Sequence, residues 1–69
     1  PNPVKELLTI SNIHTIKSVE IYTILGTRIK SIVCNKKKVV IDLSEYSTGV
    51  YLINIKKSNQ NEFIRILKE

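Results

Sequence analysis

The side chains that most often carry catalytic chemistry are few in this sequence and far apart. Its 69 residues include one histidine, His14, and one cysteine, Cys34. Asp42 and Ser44 are close together, but a Ser-His-Asp unit would require His14 to reach both of them from a predicted loop. We therefore predict that His14 is an exposed loop side chain, that no residue is catalytic and that the chain is not an enzyme.

Metal and cofactor sites lack the residue patterns that they require. One histidine and one cysteine are too few for a zinc site, and the six acidic residues form no pair spaced as metal ligands or as glycosidase carboxylates. Gly26 and Gly49 are the only glycines, so no glycine-rich loop is available to hold a phosphate group. Cys34 is interpreted as a small apolar side chain rather than a reactive thiol. The sequence predicts no metal and no cofactor.

Basic residues outnumber acidic ones, which gives a net charge of +5, and the sharpest basic run is Lys36–Lys38. This charge permits an acidic partner, an anionic surface or nucleic acid. Nucleic-acid binding would require exposed aromatic rings beside the lysines, and Tyr22 is the one candidate. Tyr46, Tyr51 and Phe63 are better placed for packing. A solvated turn is the simpler interpretation of the lysine run, and no segment approaches the roughly 20 apolar residues of a membrane span.

Short runs in which apolar and polar residues alternate indicate β-strands. Isoleucine is the commonest residue, while alanine and methionine are absent, and this composition favours strands over helices. We predict strands at residues 4–10, 17–22, 27–34, 39–43, 50–57 and 62–67, with a polar connection at 11–15 and a charged turn at 35–38. Six short strands with brief connections predict an all-β fold, either a sandwich or a small barrel.

A short corner joins the fourth and fifth predicted strands and contains most of the residues expected to define the fold. Asp42 is the outward residue of its strand, and the Ser44 hydroxyl is expected to cap the turn. Gly49 lies where the chain turns sharply into the next strand, Gly26 ends an earlier turn, and both positions favour a residue without Cβ. Tyr51 follows on the inward face. The predicted core consists of Leu8, Ile10, Val19, Ile21, Ile29, Val39, Ile41, Leu43, Tyr51, Ile53 and Ile55.

The order of several short segments is more specific than any one of them. The chain opens with Pro1–Pro3, and then come the apolar strand Leu7–Ile10 and the segment Val19–Gly26. The later segments are Thr27–Ile29, Ile41–Ser44, Gly49–Tyr51 and the basic C-terminal strand Phe63–Lys68. In this order they resemble the C-terminal sorting domain of proteins exported by the type IX secretion system of Bacteroidota. The resemblance covers essentially all 69 residues.

That resemblance implies an immunoglobulin-like antiparallel β-sandwich of six to seven short strands that serves as a folded secretion signal. The domain would direct its cargo from the periplasm across the outer membrane, so that the protein is secreted or held at the cell surface. The implied partners are an outer-membrane translocon, a sortase-like peptidase that usually removes the domain, and an N-terminal cargo domain. Residues 1–69 would then be one domain of a longer secreted protein, with residues 1–3 as the end of a linker.

The last strand is the candidate recognition segment that the resemblance implies. Its residues are Phe63, Ile64, Arg65, Ile66, Leu67 and Lys68. Arg65 and Lys68 are expected to face solvent at least at their tips, where basic side chains can steer an acidic receptor.

Two alternative functions stay open at the level of the sequence. An immunoglobulin-like adhesive or carbohydrate-contacting module would expose aromatic side chains on one face of a sheet, and Tyr22 offers this weakly. A basic barrel that binds nucleic acid would place Lys30 and Lys36–Lys38 on one face with exposed rings. Nucleic acid is not the expected partner.

Overall fold

The computed structural model describes residues 4–69, which form four β-strands in one antiparallel sheet. The strands are β1 Leu7–Thr23, β2 Arg28–Asp42, β3 Gly49–Lys57 and β4 Asn61–Lys68, and their order across the sheet is β2-β1-β3-β4. The all-β prediction is confirmed. The prediction of six to seven short strands in an immunoglobulin-like sandwich is wrong in strand number, and the described strands form one sheet, not two. The linker predicted at residues 1–3 lies outside the described residues.

β1 combines the first two predicted strands with the connection between them, because residues 12–15 leave the ladder without ending the strand. Ser11 lies opposite Lys38. The next paired residue of β1 is Ile16, which lies opposite Lys36, so five steps along β1 match two steps along β2. The polar run that we interpreted as a connection is therefore an irregular, bulged part of one long strand.

β2 combines the third and fourth predicted strands in the same way, and a bulge at Asn35 replaces the predicted charged turn. Ile16 pairs with Lys36, whereas Ser18 pairs with Val33. Between these pairs β2 contains one residue more than β1. Asn35 has a φ of 53°, in the left-handed region that asparagine tolerates better than most residues with a Cβ. The extra residue changes which side chains face the core, but it does not reverse the chain.

The long strands must bend strongly to fit the molecule. A straight strand of 17 residues, the length of β1, would span roughly 56 Å at about 3.3 Å per residue. The longest dimension of the molecule is only 31 Å. Both halves of β1 contribute side chains to one hydrophobic cluster, so the sheet folds over its own core at the bulges. A single bent sheet thus buries apolar surface that we had expected two sheets to bury.

The core confirms most of the predicted set. Ten of the eleven predicted residues are buried, and Ile29 is half-buried against the same cluster. Among the described residues, three buried apolar residues were missed, namely Val4, Ile16 and Ile66. The full cluster consists of Val4, Leu8, Ile10, Ile16, Val19, Ile21, Val39, Ile41, Leu43, Tyr51, Ile53, Ile55 and Ile66.

The two edges of the sheet are covered differently. On the β4 edge, Val4 forms a parallel bridge with Lys68. Its N–H group donates to the Leu67 carbonyl at 2.8 Å, and its carbonyl accepts from the Glu69 N–H group at 2.7 Å. On the opposite edge, β2 is paired only with β1 among the described residues. The start of the described chain therefore covers the end of β4 and leaves β2 as the open edge.

Candidate recognition surface around the last strand

Strand β4 presents two chemically different faces. Ile64 and Ile66 point to the core and lie opposite Ile53 and Tyr51 of β3. The alternate residues point outward. Among these, Phe63 keeps 67% of its surface exposed. Arg65 and Leu67 are also exposed. The predicted recognition segment is thus half structural and half presented to solvent.

Lys68 does not lie where we predicted it. The residue is 7% exposed, and its Nζ atom donates a hydrogen bond to the Glu69 carbonyl at 3.0 Å. Strand alternation places Lys68 on the inward face, and its partner across the ladder is Gly49, which has no side chain to compete for that space. The expectation that both basic residues face solvent is therefore wrong for Lys68 and correct for Arg65, which is exposed.

The carboxylate of Glu20 on β1 is buried and binds several side chains on the outward face, which continues across β3 to β4. Glu20 Oε1 accepts a hydrogen bond from the Tyr22 hydroxyl at 2.7 Å and a longer one from Asn54 Nδ2 at 3.4 Å. Arg28 Nη1 lies 3.1 Å from Oε2, and Lys56 Nζ lies 3.4 Å from Oε1. Four donors from three strands therefore converge on one acidic group.

These contacts shift the pKa values of two side chains, Glu20 and Tyr22. The hydrogen bond from Tyr22, followed by the contacts with Lys56 and Arg28, holds the pKa of Glu20 below its ordinary value, although burial opposes the shift. The same hydrogen bond raises the pKa of Tyr22. Glu20 is therefore an anion at neutral pH. Sequence reasoning missed this cluster, although Glu20 and Tyr22 share a face by simple alternation.

The ladder register links the Glu20 cluster to β4. Glu20 lies opposite Asn54, which lies opposite Phe63. Two residues further along β1, Tyr22 lies opposite Leu52, which lies opposite Arg65. The outward face thus combines exposed or half-exposed apolar groups with three cations and one carboxylate; the cations are Arg28, Lys56 and Arg65. It is a basic, partly apolar surface.

In the corner between β2 and β3 the capping acceptor is the carboxylate of Asp42, whereas we expected the hydroxyl of Ser44 to cap the turn. The Ser44 N–H group donates to Asp42 Oδ1 at 2.9 Å, and hydrogen bonds from the Ser44 hydroxyl and N–H group lower the pKa of Asp42. The Tyr51 hydroxyl donates to the Ser47 carbonyl at 2.7 Å, and its ring packs at an angle against Tyr46 with centroids 6.0 Å apart. The corner therefore fixes where β3 starts.

The two glycines occupy conformations that suit glycine. Gly26 has a φ of +93° in the turn between β1 and β2, where its N–H group donates to the Thr23 carbonyl at 2.9 Å. Gly49 has a φ of +157°. Apart from the adjacent residues of the chain, nothing lies within 4 Å of the position that a Cβ would occupy at either glycine, so backbone conformation and not close packing favours glycine there.

The candidate catalytic side chains remain apart. His14 is exposed as predicted, but it lies in the irregular part of β1 and not in a loop. Its backbone N–H group donates to Asn12 Oδ1 at 3.0 Å. Asp42 pairs with Leu7, the first residue of β1, which lies before the irregular segment that contains His14. In residues 4–69 no group of three potential ligands could hold a metal ion. This part of the chain also contains no helix capable of spanning a membrane.

The geometry does not favour the nucleic-acid alternative. Lys36–Lys38 lie on β2, whereas Phe63 lies on β4, at the opposite edge of the sheet. Tyr22 is half-buried with its hydroxyl directed at Glu20, and Tyr46 and Tyr51 pack on each other. The lysine run and the exposed ring of Phe63 therefore lie at opposite edges of the sheet.

Residues 4–69 form an all-β domain that presents an edge strand, an arrangement that recognition modules use to bind extended segments. More specifically, the chain belongs to the secretion system C-terminal sorting domain family, whose model matches residues 1–69. Searches of curated proteins and of solved structures found no match. The domain is a sorting signal for type IX secretion, which marks proteins exported across the outer membrane to the cell surface or the medium. Such a domain is not a catalytic domain.

Proposed function

We propose that the outer-membrane translocon of the type IX system recognises this domain through the outward face of β4. A sortase-like peptidase then removes the domain from an N-terminal cargo domain. The observation that carries the proposal is the contrast between the faces of β4: Ile66 is buried in the core, whereas Phe63 and Arg65 are exposed on the other side. A strand that is held firmly on one face can present the other as a rigid recognition surface.

The exposed side chains of β4 have the chemistry of a protein-binding patch. Phe63 is a large aromatic residue with two-thirds of its surface in water, so its burial by a partner would release apolar surface from solvent. Arg65, next to it on the same face, can form charge-assisted hydrogen bonds with a carboxylate. Aromatic residues and arginine are the types that most often dominate binding free energy at protein interfaces.

The test is an export assay. The domain is fused behind a periplasmic reporter in a Bacteroidota host with a working type IX system, and reporter is measured in the medium and in the periplasm. The wild-type fusion should reach the medium with the domain removed, which the mass of the released reporter will show. The double variant Phe63→Ser, Arg65→Gln should reduce export about thirtyfold, the factor that corresponds to the roughly 2 kcal/mol of binding free energy lost with an anchor residue.

A matched control keeps folding separate from recognition. The variant Ile13→Ser, Lys17→Gln removes one exposed apolar and one exposed basic residue from β1, away from β4. Both double variants should remain folded, as far-UV circular dichroism will show, and the control should be exported normally. Full export of the β4 variant would reject recognition through this strand. Deletion of residues 63–69 should abolish export, but it also removes buried Ile66 and therefore does not by itself distinguish the two roles.

A further inference from the structure

The open edge of the sheet is strand β2, along its whole length. The β4 edge is partly covered, because Val4 bridges to Lys68. In residues 4–69, β2 has β1 as its single neighbour. Main-chain groups on the far side of an edge strand are available to pair with an added strand. An open edge of this kind is the structural requirement for binding by strand addition.

A shallow depression of about 280 Å³ runs along the middle of this edge. Its apolar lining includes Ile32, Val33 and Val40, and it spans the bulge at Asn35. Val33 is 78% exposed and Val40 is 55% exposed, although both are β-branched residues on a strand. The bulge bends β2 at this point, and such bends commonly re-aim side chains beside a binding surface. The edge therefore offers apolar contacts as well as backbone groups.

The charges around the depression restrict what can bind there. Lys36 and Lys38 line it, and no acidic side chain does. Lysines on an edge strand disfavour pairing with an identical edge, because two copies would bring like charges together. The chain as a whole carries a net charge of +5, which adds to this repulsion. The same lysines would stabilise an incoming strand that carries carboxylates.

We propose that an extended segment of a partner protein, with alternating apolar and acidic side chains, adds to β2 as a fifth strand. The inference rests on the proposed function, because it assumes that a partner protein reads this domain, and it assigns that partner a second contact distinct from β4. Main-chain hydrogen bonds would supply affinity. Apolar side chains in the depression and carboxylates beside Lys36 and Lys38 would supply specificity.

The first experiment compares export of two single variants in the reporter assay. Val33→Lys places a charge in the depression, whereas Ile13→Lys places the same charge on a side chain that is 81% exposed and lies outside it. We expect Val33→Lys to reduce export about tenfold, the factor that corresponds to 1.4 kcal/mol. Ile13→Lys should be exported as the wild type is, and both should melt at the wild-type temperature. Normal export of Val33→Lys would overturn the proposal.

A second set of variants does not depend on Val33. Lys36→Glu and Lys38→Glu should each reduce export, whereas Lys37→Glu, which changes the same charge in the same run but does not line the depression, should not. Equal effects of all three would indicate a general charge effect and would also overturn the proposal. Because none of these residues lies on β4, the Phe63 and Arg65 variants test the proposed function separately.

Two physical measurements complete the test. A photoreactive amino acid at position 33 should crosslink to a protein of the export machinery during secretion, and the same group at position 13 should not. Sedimentation should show that the purified wild-type domain is a monomer. Self-association of the wild type that Val33→Lys abolishes would show that a second copy occupies the edge, and this would reject the partner strand.

Discussion

Replacement of Ile16 by alanine tests whether β1 returns to the core directly after its irregular segment. Ile16 has no exposed surface, although it directly follows a polar, irregular segment of β1. Truncation of a fully buried isoleucine to alanine costs about 2–5 kcal/mol, because transfer free energy is lost and a cavity remains. A domain of this size has roughly 3–10 kcal/mol of stability in total. The melting temperature should therefore fall by at least about 10 °C.

The same substitution three residues earlier is the control. Ile13 is 81% exposed, so Ile13→Ala should change the free energy of unfolding by less than about 0.5 kcal/mol. Urea unfolding followed by far-UV circular dichroism measures both variants under identical conditions. Equal destabilisation, or a mild effect at both positions, would refute the conclusion that β1 re-enters the core at Ile16.

Two further predictions concern a carboxylate and a bulge. The pKa of Glu20 is lower in the folded chain than its ordinary 4.5, so the ionised side chain stabilises the fold above pH 4.5, and this stabilisation is lost as the pH falls through the folded pKa. The Glu20→Gln variant has no such stabilisation to lose. Its urea midpoint should therefore fall less steeply between pH 7 and pH 3 than that of the exposed control Glu45→Gln. Asn35→Val should lower the free energy of unfolding by about 1–2 kcal/mol because residue 35 has a positive φ, whereas Asn35→Gly should not lower it. Equal melting temperatures of these two variants would contradict the left-handed conformation of residue 35.

Alternation predicted the strands and the core well where each strand is regular. Leu8 and Ile10 on one side of the bend, and Val19 and Ile21 on the other, were assigned correctly because alternation holds within each short run. The inward positions change from even to odd numbers only after Ile16, at the register shift between Ile16 and Ser18. Ile16 was missed because it lies between the connection predicted at residues 11–15 and the strand predicted at residues 17–22.

Polar and charged runs proved ambiguous between turns and bulges. Lysines after an asparagine suit a hairpin turn, but here Asn35 takes up the left-handed conformation inside a continuing strand. A hairpin turn and a bulge can have the same residue composition, and only the pairing with the neighbouring strand distinguishes the two structures. The candidate recognition strand was proposed from the family resemblance, while the inward direction of Lys68 and the donors around Glu20 depend on the pairing register.

The parallel bridge between Val4 and Lys68 has a mechanical consequence. Val4 lies before β1 and Lys68 is the last residue of β4. The two segments run side by side, because Val4 forms hydrogen bonds of 2.8 and 2.7 Å with Leu67 and Glu69, the residues on either side of Lys68. If a translocating machine held the C-terminal segment while cargo resisted from the other side, the tension would act along both strands in opposite directions. The two bonds would then be loaded together in shear and would not open one after the other. The domain could thus transmit a pull to its cargo before its own strands separate.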